Sequence, residues 1–89
     1  MAPWTIKWTR RALKDLDGLD TPIARRVVRK LEQAAAEPSR SFTRLVGSDD
    51  YKLRIGDLRL LAILAHETRT IIVERVDHRS RIYQRGGMH

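Results

Sequence analysis

YKLRIGDLR, residues 51–59, is the stretch that decides the fold. Tyr51, Leu53 and Ile55 alternate with Lys52 and Arg54, the period of a half-buried strand, and Gly56-Asp57 is a two-residue turn with glycine first, as a type II′ hairpin requires. The turn sets the register: Ile55 opposite Leu58, Arg54 opposite Arg59, Leu53 opposite Leu60, Lys52 opposite Leu61. Lys52, Arg54 and Arg59 then share the face opposite the apolar row. Two arginines directly across a ladder repel, and a fold tolerates them most readily where an anion neutralises both. The expectation is a phosphate site.

Outward from the hairpin, Leu58 to about Ala65 is the return strand, His66-Glu67-Thr68-Arg69 a polar turn, and Thr70-Ile71-Ile72-Val73 a further β-branched strand. Its buried face stays open, because Ile71 and Val73 compete with Ile72 and Val76. Upstream, residues 37–50, with Pro38, three serines and Gly47, form one long irregular connection. Before it, Asp20 or Thr21 as N-cap, Pro22 in the first turn and the stripe Ile23, Val27, Leu31, Ala34, Ala35 predict a helix that Pro38 ends. Its other face carries Arg25, Arg26, Arg29 and Lys30, a pattern that fits a solvated face as well as a docking surface. A shorter helix, capped by Thr9, places Ala12, Leu13, Leu16 and Leu19 at helical spacing, with Gly18 loosening its end. Trp4, Ile6 and Trp8 alternate with Thr5, Lys7 and Thr9 as a first strand, its tryptophans read as core. The expected architecture is α+β, β-α-α-β-β-β, with two N-terminal helices packed on a four-stranded, mostly antiparallel sheet.

No internal boundary or repeat divides the chain, so residues 1–89 read as one domain, able to bury roughly 60–65% of its unfolded surface. With no cysteine and three histidines, thiolate metal sites, disulfides and a cysteine nucleophile are excluded, and neither a metal nor a cofactor is expected. The N-terminus lacks a signal-peptide core and no run reaches membrane-spanning length, so a cytoplasmic protein with no membrane partner is expected. The formal charge is +7, and 14 of the 18 cationic residues are arginine, the side chain suited to bidentate phosphate contact. Charge alone fits either a nucleic-acid partner or a generic basic surface, so position has to decide.

The tail DHRSRIYQR, residues 77–85, adds a second cluster. Arg79 and Tyr83, four apart, lie on one side whether the backbone is extended or helical. Tyr83 could equally cover an edge of the core while Arg79 and Arg81 keep a terminal segment soluble.

Taken together, the element order, the block at Tyr51 to Arg59 and R-V-D-H-R-S-R-I-Y at Arg75 to Tyr83 resemble the RelE branch of the RelE/ParE toxin superfamily, the toxin half of toxin–antitoxin pairs. The resemblance covers nearly the whole chain. It implies a ribosome-dependent endoribonuclease that cuts mRNA in the aminoacyl site and is silenced by a RelB-like antitoxin, the toxin being monomeric alone and hetero-oligomeric with that partner. Residue by residue, Lys52 matches a catalytic lysine of the family, Arg59 the arginine after the glycine turn, Arg79 the arginine after the last strand and Tyr83 the C-terminal tyrosine. Arg54 and Arg81, with Arg25, Arg26, Arg29 and Lys30, are the RNA-binding candidates. The chain departs from the family pattern at Asp50, where some relatives carry a second lysine, at Leu58, commonly aromatic, and in a shorter Arg79 to Tyr83 spacing.

Metal-independent RNA cleavage needs the 2′-hydroxyl deprotonated, the phosphorane charge stabilised and the leaving 5′-oxygen protonated. Arginines stabilise charge but hardly titrate, and Lys52 is the member of the strand cluster able to lose a proton. Tyr83 is placed to orient the nucleotide or move a proton, Arg79 to meet the leaving group, and His78 is the rival acid or base. No carboxylate pair is evident in the sequence. The alternative from another class is a ParE-like toxin that poisons DNA gyrase by protein contact, for which apolar or acidic residues at the Lys52, Arg59, Arg79 and Tyr83 positions would be expected. A third is a catalytically inert nucleic-acid-binding module, for which the basic helix face would matter and Tyr83 would not.

Overall fold

The computed structural model describes residues 2–78. In chain order they form β1 (Thr5–Trp8), α1 (Arg10–Asp17), α2 (Thr21–Ala34), α3 (Pro38–Ser41), β2 (Thr43–Arg44), β3 (Asp50–Ile55), β4 (Leu58–Ala65) and β5 (Thr70–His78). One sheet of order β1-β5-β4-β3-β2 results, parallel between β1 and β5 and antiparallel elsewhere. The fold is the expected α+β arrangement with two additions, both inside the connection read as irregular. Pro38 does not follow the end of α2 as a bare stop; it opens the single turn α3, where a missing N–H is harmless. Thr43 and Arg44 then pair with Lys52 and Tyr51, giving a fifth strand that covers part of the outer edge of β3.

The hairpin register is the one the turn dictates, with Arg54 opposite Arg59 and Lys52 opposite Leu61. Gly56 sits at φ 59° and, among the described residues, Arg69 is the non-glycine residue at positive φ, so Asp57 keeps a negative φ and the turn has the II′ form. Leu53, Ile55, Leu58, Leu60, Ala62 and Leu64 of the hairpin form one core with Ile71, Val73 and Val76 of β5, Ala12 of α1, and Val27, Leu31 and Ala34 of α2. Full burial of a side chain such as Leu31, Leu60 or Ile71 stabilises by roughly 1.5–3 kcal/mol. Trp4, Ile6 and Trp8 pack half-buried against this core, and Trp4 meets His66 edge to face at 5.3 Å.

A bulge settles the face of β5. Leu61 lies opposite Arg75 but Ala62 opposite Val73, so Glu74 is an extra residue in the ladder. The insertion shifts the phase of the strand by one, and Ile71, Val73 and Val76 all become buried while Ile72 is only half-buried.

Thr9 ties α1 to the sheet: its Oγ1 accepts from the Ala12 N–H at 3.1 Å and donates to the Val73 carbonyl at 2.8 Å. Where the β1 pairing stops, at Val73, the Asp15 carboxylate of α1 takes over the edge of β5 and accepts from the Val76 N–H at 3.0 Å and from Arg75 Nε at 2.9 Å. Two residues assigned to the apolar stripes fall outside the core. Leu13 is 49% exposed along the groove between the helices, and Ile23, in the first turn of α2, is 41% exposed.

Candidate functional site

Strand alternation gives the sheet a second face, opposite the core, and the cationic residues of the hairpin lie on it. Along one row of the ladder Arg54, Arg59 and Asp77 stand side by side on β3, β4 and β5. Arg54 is exposed, whereas Arg59 and Asp77 are 5% and 6% exposed. Asp77 also accepts from Arg75 Nη2 at 3.1 Å, and Arg75 reaches Asp15, so an alternating chain of charges runs from β5 to α1. The register therefore puts a carboxylate, Asp77, next to Arg59 on the side away from Arg54. Lys52 is half-buried, between Leu61 on one side and Thr43 on the other.

The basic face of α2 divides in two, because residues four apart stack on one side of a helix and neighbours do not. Arg26 and Lys30 turn toward the hairpin. The Arg26 guanidinium lies 3.5 Å from the point that a Cβ on Gly56 would occupy. Lys30 joins Arg40, Ser41, Thr43, Lys52, Leu53 and Arg54 around a cavity of about 320 Å³ at the outer edge of β3. Arg25 and Arg29 turn the other way and line the groove between α1 and α2, with Leu16, Leu19, Val28 and the acidic Asp17 and Glu32.

A carboxyl pair, which the sequence did not reveal, sits on the second face. Glu74 hydrogen-bonds to Asp50, and this bond, together with partial burial and repulsion by the Asp50 charge, pushes the Glu74 pKa up from 4.5 to about 7. Ser48 holds Asp50 in place, its hydroxyl donating to Oδ2 at 2.9 Å and accepting from the Asp50 N–H at 3.0 Å. Asp50 and Lys52 are alternate residues of β3, so the pair adjoins the cationic cluster. The signal that could have found it is the spacing of Ile71, Val73 and Val76, two residues then three, which marks an inserted position.

Of the remaining candidates, His78 ends β5 opposite Leu58. Arg79, Arg81 and Tyr83 lie outside the described residues. The structure thus gathers Lys52, Arg54, Arg59, Arg26 and Lys30 around the hairpin and separates Arg25 and Arg29 from them.

A family model for the ParE toxin of type II toxin–antitoxin systems matches residues 6–83, and the chain belongs to the RelE/ParE superfamily of type II toxins. Within that superfamily its likeness is to the RelE type. It is 35% identical to Toxin RelG of Mycobacterium tuberculosis, over 93% of this chain and 99% of the other. It superposes on a chain of the RelBE2 toxin–antitoxin complex of the same organism with a TM-score of 0.79 and 32% identity, covering 88% of this chain and 100% of that one. Against the intact RelBE toxin–antitoxin complex of E. coli the TM-score is 0.71 at 25% identity, over 84% and 95% of the two chains. No helix among the described residues is long and apolar enough to cross a membrane.

Proposed function

We propose that the protein is a ribosome-dependent, metal-independent endoribonuclease that cleaves mRNA in the aminoacyl site, inhibits translation, and is held silent in the cytoplasm by a RelB-like antitoxin. The observation that carries this reading is the placement of Lys52, Arg54 and Arg59 on one face of adjacent strands in a RelE-type chain. On this mechanism Arg54 and Arg59 stabilise the phosphorane, Lys52 takes the 2′-hydroxyl proton, Arg79 meets the leaving group and Tyr83 orients the nucleotide. Solved RelE-type toxins with RelB antitoxins support the antitoxin partner.

The matched family model bears the ParE description, which favours one alternative, a gyrase-poisoning toxin with no nuclease activity. A translation reaction with primer extension along the message, run beside a gyrase supercoiling assay, separates the two. Cuts within codons that depend on ribosomes are expected; an intact message with blocked gyrase would replace the nuclease reading by the alternative.

A further inference from the structure

The cavity at the outer edge of β3 differs in composition from the groove between α1 and α2. Four cationic side chains from three elements line it: Lys30 of α2, Arg40 of α3, and Lys52 and Arg54 of β3. Two hydroxyls, Ser41 and Thr43, and the apolar Leu53 complete the lining, and no carboxylate is among them. Among the described residues the acidic group paired with one of the four is Glu37, whose Oε2 lies 3.3 Å from Arg40 Nε in a solvent-exposed, weak ion pair. The larger groove between α1 and α2 is electrically mixed, with Lys14, Arg25 and Arg29 facing Asp17 and Glu32. A cavity of about 320 Å³ lies at the small end of ligand pockets, roughly 300–1,000 Å³. Fixed cations with hydroxyl donors and no acid, in a space of that size, suit a phosphodiester group and its sugar rather than a peptide side chain.

The location follows from the strand ladder. Thr43 is the last residue of β2 to pair with β3 on the approach to the turn, at Lys52, so the edge of β3 beyond it, at Leu53 and Arg54, is left to α3 and α2. Lys52 and Arg54 therefore serve two spaces at once: the sheet face shared with Arg59 and this edge cavity.

We propose that the cavity lined by Lys30, Arg40, Ser41, Thr43, Lys52 and Arg54 is a second phosphate subsite, which grips the backbone of single-stranded RNA next to the phosphate held at Arg59. Arg40, which the sequence did not single out, is its defining member, and Lys30 acts with it while Arg25 and Arg29 do not. The subsite rests on the RNA-cleaving function proposed above. It gives that function a means of fixing the strand in register, since backbone contacts position a nucleic acid without reading its bases.

The test uses the full chain and a short single-stranded oligoribonucleotide bearing 2′-O-methyl groups, which block cleavage, with affinity measured across a salt series. Lys30→Gln/Arg40→Gln is compared with Arg25→Gln/Arg29→Gln, which removes the same charge elsewhere on the surface. All four side chains are exposed, and circular dichroism checks that both variants stay folded. The Lys30/Arg40 variant should bind about tenfold more weakly and lose about 1.4 from the slope of log affinity against log salt, at about 0.7 per released counterion. The Arg25/Arg29 variant should lose less than half as much of each, and Arg40→Lys should recover part of the loss relative to Arg40→Gln. Equal losses in both double variants, or none in the Lys30/Arg40 variant, would overturn the subsite while RNA cleavage by wild type in translation reactions stood. A wild-type chain that neither binds the oligonucleotide nor cuts mRNA would overturn both.

Discussion

Replacing Glu74 by glutamine isolates the carboxyl pair. Glutamine has the shape of the protonated acid and can donate the same hydrogen bond to Asp50, so it reproduces one protonation state and forbids the other. The pKa of Glu74 is about 7 in the folded protein against an ordinary 4.5, so between these values the folded state binds more protons than the unfolded one. Stability attributable to this group is therefore intact below about pH 4.5 and lost as pH rises through 7. The full gap corresponds to a ceiling of about 3 kcal/mol at roughly 1.36 kcal/mol per pH unit, and solvent screening at this half-buried position lowers the working figure to about 1–2 kcal/mol. Urea unfolding of both proteins from pH 4 to pH 8 is the assay. The curves should coincide near pH 4 and separate with rising pH, Glu74→Gln ending the more stable by about 1–2 kcal/mol, or some 4–8 °C in melting temperature per kcal/mol for a domain of this size. Histidine titration is common to both proteins and cancels in the difference. Parallel curves would refute the idea that Glu74 and Asp50 share a proton on this face.

Arg59→Ala and Arg79→Ala should each lower cleavage by roughly 10²–10³-fold, the cost of one preorganised charge-stabilising group, as measured by primer extension. Because Arg59 is buried beside Asp77, Arg59→Ala should also lower the melting temperature, and Arg59→Lys is the variant that separates charge from fold. Lys52→Arg should keep ribosome and RNA affinity but lose single-turnover cleavage, because arginine keeps the charge and cannot act as a base; cleavage as fast as wild type would reassign Lys52 to substrate positioning. Asp15→Ala should destabilise by about 2–3 kcal/mol in chemical denaturation, since it strands the Val76 N–H and leaves the half-buried Arg75 with Asp77 as its remaining carboxylate.

The local elements were legible because their causes are local. A two-residue turn with glycine first fixes hairpin register without reference to the rest of the chain, so the pairing of Arg54 with Arg59 could be written down from residues 51–59 alone. Thr9 as a cap and the stripe Val27, Leu31, Ala34 are likewise short-range statements, and they agree with the structure. The grouping of candidate residues around the hairpin was half visible: Lys52, Arg54 and Arg59 follow from alternation, but the division of Arg25, Arg26, Arg29 and Lys30 between two surfaces depends on where α2 lies against β3. The parallel pairing of β1 with β5 joins residues 65 apart in the sequence, as Thr5 with Thr70, and no local pattern encodes it. The same holds for the bulge at Glu74, which allowed both competing apolar patterns of β5 to be partly right, and for the contact of Glu74 with Asp50 across an intervening strand. Sequence periodicity states which face of an element is apolar; which charged groups meet on the other face is decided only when distant strands are laid side by side, and there the Arg59–Asp77 neighbours, the carboxyl pair and the cationic cavity all arise.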